Sequence, residues 1–162
     1  GMSENSALVK GVNRAWDAGL VVVVAAGNNG PRTMSITTPG ISRKVITVGC
    51  SDDDREVLVG GNRMVDYSGR GPTAACICKP DLVAPGCSVV SCAGRADKYT
   101  IKSGTSMSTP IVSGATALLL ERYPDMTNKD VKLKLRESCT DIGLPRNQQG
   151  WGLLDVEKLV SK

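Results

Sequence analysis

The sequence predicts a layered α/β fold, and three observations carry that prediction. Leu20 to Ala26 is a short, valine-rich apolar run of the kind that forms a strand covered on both faces inside a parallel sheet. Ile111 to Leu120 reads as a helix in which only Ser113 and Thr116 are polar, so it should be buried nearly all round. Helical and extended segments also follow one another as helix, buried strand, strand, further strands and helix, the order of a layered α/β unit. At 162 residues and 41% hydrophobic the chain can bury a sizeable core, and with 3% aromatics and no Phe that core is aliphatic.

In chain order, residues 6 to 18 have Leu8, Val12, Ala15 and Trp16 at helical spacing, with Gly19 placed as a stop. The valine-rich strand ends in Gly27-Asn28-Asn29-Gly30-Pro31. Read locally, Asn-Gly beside a strand signals a hairpin turn. In an open α/β sheet, however, sites form at the carboxyl ends of strands, where an Asn offers an amide donor to a substrate oxygen. Thr38-Pro39-Gly40 is a further turn, and Lys44 to Gly49 a second short strand. Asp52-Asp53-Asp54 raises a calcium site, but nothing in the spacing arranges oxygens around a point, so a solvated loop is expected through Gly60-Gly61. Tyr67 to Pro72 forms a compact loop, and Lys79 to Gly86 holds a short strand between two prolines. Ser88 to Ser91 and Tyr99 to Lys102 are extended, separated by a turn around Gly94. Tyr123-Pro124 stops the central helix. Thr127 with Asp130 three residues on is a capping-box start for a helix to about Ser138, and a last helix covers Leu154 to Val160 after Gly150-Trp151-Gly152. Neither a repeat nor a linker interrupts the chain, which reads as one unit over residues 1–162.

Composition excludes several classes of function. The formal charge is +4, yet the basic residues are scattered without interleaved aromatics, so no nucleic-acid partner is expected. No run reaches the length of a membrane span, and no charged-then-apolar leader opens the chain, so no membrane partner is expected. The six cysteines form no C-x-x-C pair and there is no His, which argues against a zinc site; buried free thiols in a reducing compartment are expected. The absence of His also removes the usual general base from any catalysis confined to these residues.

Ser103-Gly104-Thr105-Ser106-Met107-Ser108-Thr109-Pro110 leads into the central helix. With Pro110 assigned to a first turn, Ser106 falls at or just before the helix start, where free N–H groups and the helix dipole favour developing negative charge. Taken alone, that position suits an N-cap as well as a nucleophile.

Several stretches together resemble one family, the subtilisin-like serine proteases or subtilases. Gly104 to Pro110 is similar to the segment around their nucleophilic serine, and Val23-Val24-Ala25-Ala26-Gly27-Asn28 to the one carrying their oxyanion-hole asparagine. Tyr67 to Pro72 and Lys79 to Gly86 match two structural signatures of the same family. Ile111 stands where many members carry a histidine after the motif proline; with Pro-Ile-Val-Ser-Gly it resembles the wording of bacterial intracellular subtilases, and a cytoplasmic location is favoured over a secreted one without being fixed by the sequence.

The resemblance implies a subtilisin-like three-layer fold with a mostly parallel sheet, of which this chain is the carboxy-terminal portion and the amino-terminal part is absent. It implies a serine endopeptidase working through an acyl-enzyme, with Ser106 as nucleophile and Asn28 in the oxyanion hole. Ala25, Ala26, Gly27 and Thr105 are then substrate-binding residues, and no metal ligand is assigned. Peptide or protein substrates, the missing amino-terminal half and further copies of the chain are the expected partners. No cofactor is required, although structural calcium is compatible with the full-length parent. Nothing here corresponds to the triad aspartate and histidine, so the chain alone is expected to be inactive. The alternative is a subtilase-like module that binds peptides or acts as a scaffold without catalysis.

Overall fold

The computed structural model describes residues 5–94 and 98–161. It opens with helix α1 (Ala7–Asp17), whose N-cap Ser6 accepts from the Val9 N–H at 3.3 Å. Val9 and Trp16 are its buried residues, whereas Leu8, expected on the apolar stripe, is 62% exposed. Strands β1 (Val23–Ala25), β2 (Ile46–Cys50) and β5 (Leu82–Ala84) form a parallel sheet in the order β1-β2-β5. Two antiparallel hairpins stand apart from it: β3 (Val57–Val59) with β4 (Asn62–Met64), and β6 (Val89–Cys92) with β7 (Tyr99–Lys102). The turn expected around Gly94 runs into residues 95–97, outside the described residues.

The central helix α2 (Thr105–Arg122) packs on all three parallel strands, followed by α3 (Asn128–Ser138), the short α4 (Arg146–Gln149) and α5 (Val156–Val160). Val112, Ala115 and Leu119 of α2 meet Ile46, Val48 and Leu82 of the sheet and Val131, Leu135 and Leu159 of α3 and α5 in one aliphatic core. The capping box at the start of α3 forms as the sequence predicts. Asn128 also donates to the carbonyls of Trp16 and Leu20, at 2.7 and 3.1 Å, tying α3 to the end of α1.

Three expectations change. The apolar run from Leu20 pairs only over Val23–Ala25, and β1 lies at the sheet margin, half-buried, because its one strand partner among the described residues is β2. The other margin is closed differently, since Leu154 N–H reaches the Val83 carbonyl at 2.9 Å and Val83 N–H reaches the Gly152 carbonyl at 3.0 Å. Second, α2 is not buried all round: Pro110, Ser113, Gly114, Ala117, Leu118 and Glu121 form one exposed face, with Leu118 50% exposed. Third, Pro110 lies in the second turn of α2, not the first, because the helix already begins at Thr105. The β3–β4 hairpin and α4 are additions, each of only three or four residues per segment and too short for a periodic signal.

Candidate active site

The carboxyl ends of the parallel strands all open on one side of the sheet, and the loops that leave them converge there. Asn28 follows β1, Asp52 follows β2, Gly86 and Cys87 follow β5, and α2 starts against them. Gly104, with φ +140°, sits just before α2, and its N–H reaches the Gly86 carbonyl at 2.9 Å. Ser106 lies in the first turn and is exposed. First-turn N–H groups have no acceptor within the helix. The Thr105 N–H is taken by Asn28 Oδ1 and the Met107 N–H by the Gly104 carbonyl, which leaves the Ser106 N–H without an acceptor among the described residues. Pro110, lacking an N–H, also leaves the Ser106 carbonyl without its ladder partner.

Asn28 and Thr105 are locked together. Asn28 Oδ1 accepts from both the Thr105 N–H and the Thr105 hydroxyl, each at 3.0 Å, and Thr105 Oγ1 in turn accepts from the Gly27 N–H at 3.2 Å. With Oδ1 occupied by two donors, Nδ2 is the end of the Asn28 amide left for another partner. It lies beside the turn before Ser106: a Cβ built on Gly104 would stand 3.3 Å from it. The Asn28-Asn29-Gly30 stretch is therefore no hairpin, since β1 runs on to a parallel neighbour and the loop carries its Asn to the start of α2. An open cleft of about 1160 Å³ begins at Asn28 and extends past Asn29, Thr37 and Met34 to Leu8.

Of the four remaining site residues expected from the sequence, Ala25 and Gly27 are half-buried, whereas Ala26 and Thr105 are fully buried. Ala26 packs with Val9, Ile36 and Ile41, and its carbonyl is taken by the Thr37 N–H and hydroxyl. Thr105 has no free surface either; its hydroxyl is spent on Asn28 and Gly27.

The aspartate run is not a solvated loop. Asp53 is buried and accepts the Ser68 N–H at 2.7 Å; burial pushes its carboxyl up, with that hydrogen bond opposing. Asp52 accepts the N–H groups of Gly86 and Cys87 at 2.7 and 3.1 Å. Burial raises its pKa, but these bonds and one from the Cys50 thiol outweigh it and hold the carboxyl below its usual range. Only Asp54 is exposed, so the three carboxylates diverge. Sequence reasoning missed the Thr105–Asn28 lock and the Asp52 contacts; the one available signal was that loops after parallel strands meet.

The model of the subtilase family matches residues 1–152. Serine protease AprX of Bacillus subtilis (strain 168) is 42% identical over 147 residues, 83% of this chain and 33% of that protein. Subtilisin DY of Bacillus licheniformis is 35% identical over 159 residues, 97% of this chain and 53% of its own length. Among solved structures, a mutant of the protease domain of PatA superposes with a TM-score of 0.74 at 26% identity, covering 98% of this chain and 54% of that one. The chain thus spans between a third and about a half of the length of these relatives.

Proposed function

This chain belongs to the subtilase family of serine proteases, and from that premise we propose that the protein acts as a serine endopeptidase whose nucleophile is Ser106. The Ser106 hydroxyl attacks the scissile carbonyl, and its oxygen becomes an oxyanion held by Asn28 Nδ2 and the Ser106 N–H. Collapse expels the amine and leaves an acyl-enzyme on Ser106, which water then hydrolyses. The observation that carries this reading is the fixing of Asn28 Oδ1 by two Thr105 donors, which presets the opposite end of the amide before any substrate arrives. In subtilisin itself the loss of such a donor costs about 2.7–4 kcal/mol, a magnitude taken from that enzyme and not worked from this chain.

Ala25, Gly27 and the cleft beyond Asn28 form one wall for the substrate residue before the cut. Thr105 acts on the substrate only through Asn28. A serine hydroxyl needs a neighbour to take its proton, and the chain contains no His. That base therefore comes from the portion of the relatives that these residues do not span, seated on the open β1 margin and the exposed face of α2. The six cysteines are free thiols, which suits a reducing compartment such as the cytoplasm. No helix among the described residues is long and apolar enough to cross a membrane.

The test compares the 162-residue chain with a longer version carrying the portion of the relatives it does not span. The longer protein is expected to cleave a fluorogenic peptide and to be labelled by a fluorophosphonate, both lost in Ser106→Ala, while the chain alone does neither. Robust turnover by the chain alone overturns the need for an outside base. A folded longer protein that neither labels nor cleaves overturns the endopeptidase reading in favour of a peptide-binding or scaffold module.

A further inference from the structure

Behind the loop that carries Ser106 lies a polar cluster that peptide hydrolysis does not use. Cys50 ends β2, Cys87 follows β5, and Tyr67 stands between them with its ring fully buried. The Tyr67 hydroxyl lies 3.2 Å from Cys50 Sγ and 3.1 Å from Cys87 Sγ, and the Cys50 thiol donates to Asp52 Oδ1 at 3.2 Å. The two sulfurs and an Asp52 oxygen all lie within 4.8 Å of one another. Cys50 and Cys87 are 1% and 8% exposed, whereas the Asp52 side chain keeps 26% of its surface and forms the mouth of the cluster.

We propose that Cys50, Cys87 and Asp52 bind a zinc-class divalent cation, with the Tyr67 hydroxyl as its fourth neighbour. Two thiolates and one carboxylate are donors that a borderline-soft ion accepts and that calcium or magnesium does not select. With metal–sulfur and metal–oxygen bonds of about 2.3 and 2.1 Å, a tetrahedral ion holds its donors roughly 3.5–3.8 Å apart. Opening the present contacts by a few tenths of an ångström reaches that spacing.

The charges and protons balance. Each thiol gives up its proton to solvent as its sulfur bonds the ion, so one dication replaces two protons. Two thiolates, one carboxylate and one dication leave a net charge of −1, and the Arg55 guanidinium, 3.5 Å from Asp52 Oδ2, offsets it. Because two thiol protons leave as one ion binds, binding should tighten with pH by up to about 100-fold per unit. The outer bonds are already in place, because Asp52 Oδ1 is oriented by the Gly86 and Cys87 N–H groups. Gly86 in turn holds the Gly104 N–H, so the ion would brace the turn from which α2 starts. The sequence argued against zinc because it holds neither a C-x-x-C pair nor a His. Here the ligands come from the ends of two adjacent parallel strands, which no short motif encodes.

The test uses the full chain with the three exposed cysteines changed, Cys76→Ser, Cys78→Ser and Cys92→Ser, kept reduced and titrated with Co2+ and then Zn2+. The expected result is one Co2+ per chain with a thiolate-to-cobalt charge-transfer band, displaced by Zn2+ but not by Ca2+, with two protons released per ion. Cys50→Ser and Cys87→Ser should each remove the band, and Asp52→Asn should weaken binding roughly 10–100-fold. Circular dichroism checks that each variant is folded, and a misfolded Cys50→Ser leaves the decision to Cys87→Ser and the proton count. Absence of the band with millimolar Co2+ at mildly alkaline pH overturns the proposal. So does a band that survives Cys87→Ser and vanishes with Cys139→Ser.

Discussion

Replacing Asp81 with Asn should destabilise the chain by about 3–5 kcal/mol at neutral pH, because it strands a buried cation. Asp81 Oδ2 lies 2.5 Å from Lys79 Nζ and accepts the Thr47 N–H at 2.7 Å, so one carboxylate both neutralises Lys79 and pins β5 to β2. Lys79 is 1% exposed, and its ammonium also donates to the Val45 carbonyl at 3.0 Å. At an effective dielectric constant of about 20 the 2.5 Å pair is worth roughly 7 kcal/mol before desolvation is subtracted. The loss is capped, because Lys79 can shed its proton. From an unfolded pKa of about 10.4, that costs about 4–5 kcal/mol at pH 7. The cap also sets the sign of the pH dependence. Burial already lowers the Lys79 pKa, with Asp81 opposing; without Asp81 the folded state holds Lys79 neutral while the unfolded state still binds its proton. The variant's stability then rises with pH, and the penalty shrinks by about 1.4 kcal/mol per unit above neutrality from Lys79, with Lys132, 3.7 Å from Asp81 Oδ1, adding to the slope. Urea denaturation followed by tryptophan fluorescence measures this at several pH values. Lys79→Met combined with Asp81→Asn should recover most of the loss. A penalty under about 1 kcal/mol, a penalty flat with pH, or a double variant no better than the single one would refute the argument.

Thr105→Val keeps the shape at the start of α2 but removes the hydroxyl that holds Asn28 and Gly27. In the longer, active form it should lower kcat roughly tenfold with little change in KM, about the worth of one hydrogen bond; a loss seen mainly in KM would place Thr105 in substrate binding instead. The chain alone should self-associate at micromolar concentration through the open β1 margin and the α2 face, and Leu118→Lys should reduce that association. A monodisperse monomer by light scattering speaks against it.

Local chemistry was legible where the sequence carries a local rule. Ser6 and Gly19 bound α1, Thr127 with Asp130 opens α3, and the segments around β2, β5 and β7 stand within two residues of their expected places. What the sequence hid are contacts between loops. Asn28 and Thr105 meet because β1 and α2 share the same end of the sheet, a relation no spacing along the chain expresses. Asp52 and Asp53 looked solvated because charge in a Gly-rich segment normally is, yet each satisfies buried backbone N–H groups. Lys79 and Asp81 both precede the apolar Leu82-Val83-Ala84, and their burial is visible only once β5 is packed into the sheet. The outward face of α2 defeated the reading for the opposite reason: its small and apolar residues look like core yet lie exposed among the described residues.

That face is built so that folding and assembly can be addressed separately. A Cβ placed on Gly114 meets no atom within 4 Å, so even a bulky side chain there leaves the chain's own packing intact. Anything that must lie flush against Gly114 and Ala117 would be held off by it. A bulky Gly114 substitution would thus leave the fold alone while hindering any partner or second copy that packs against this face.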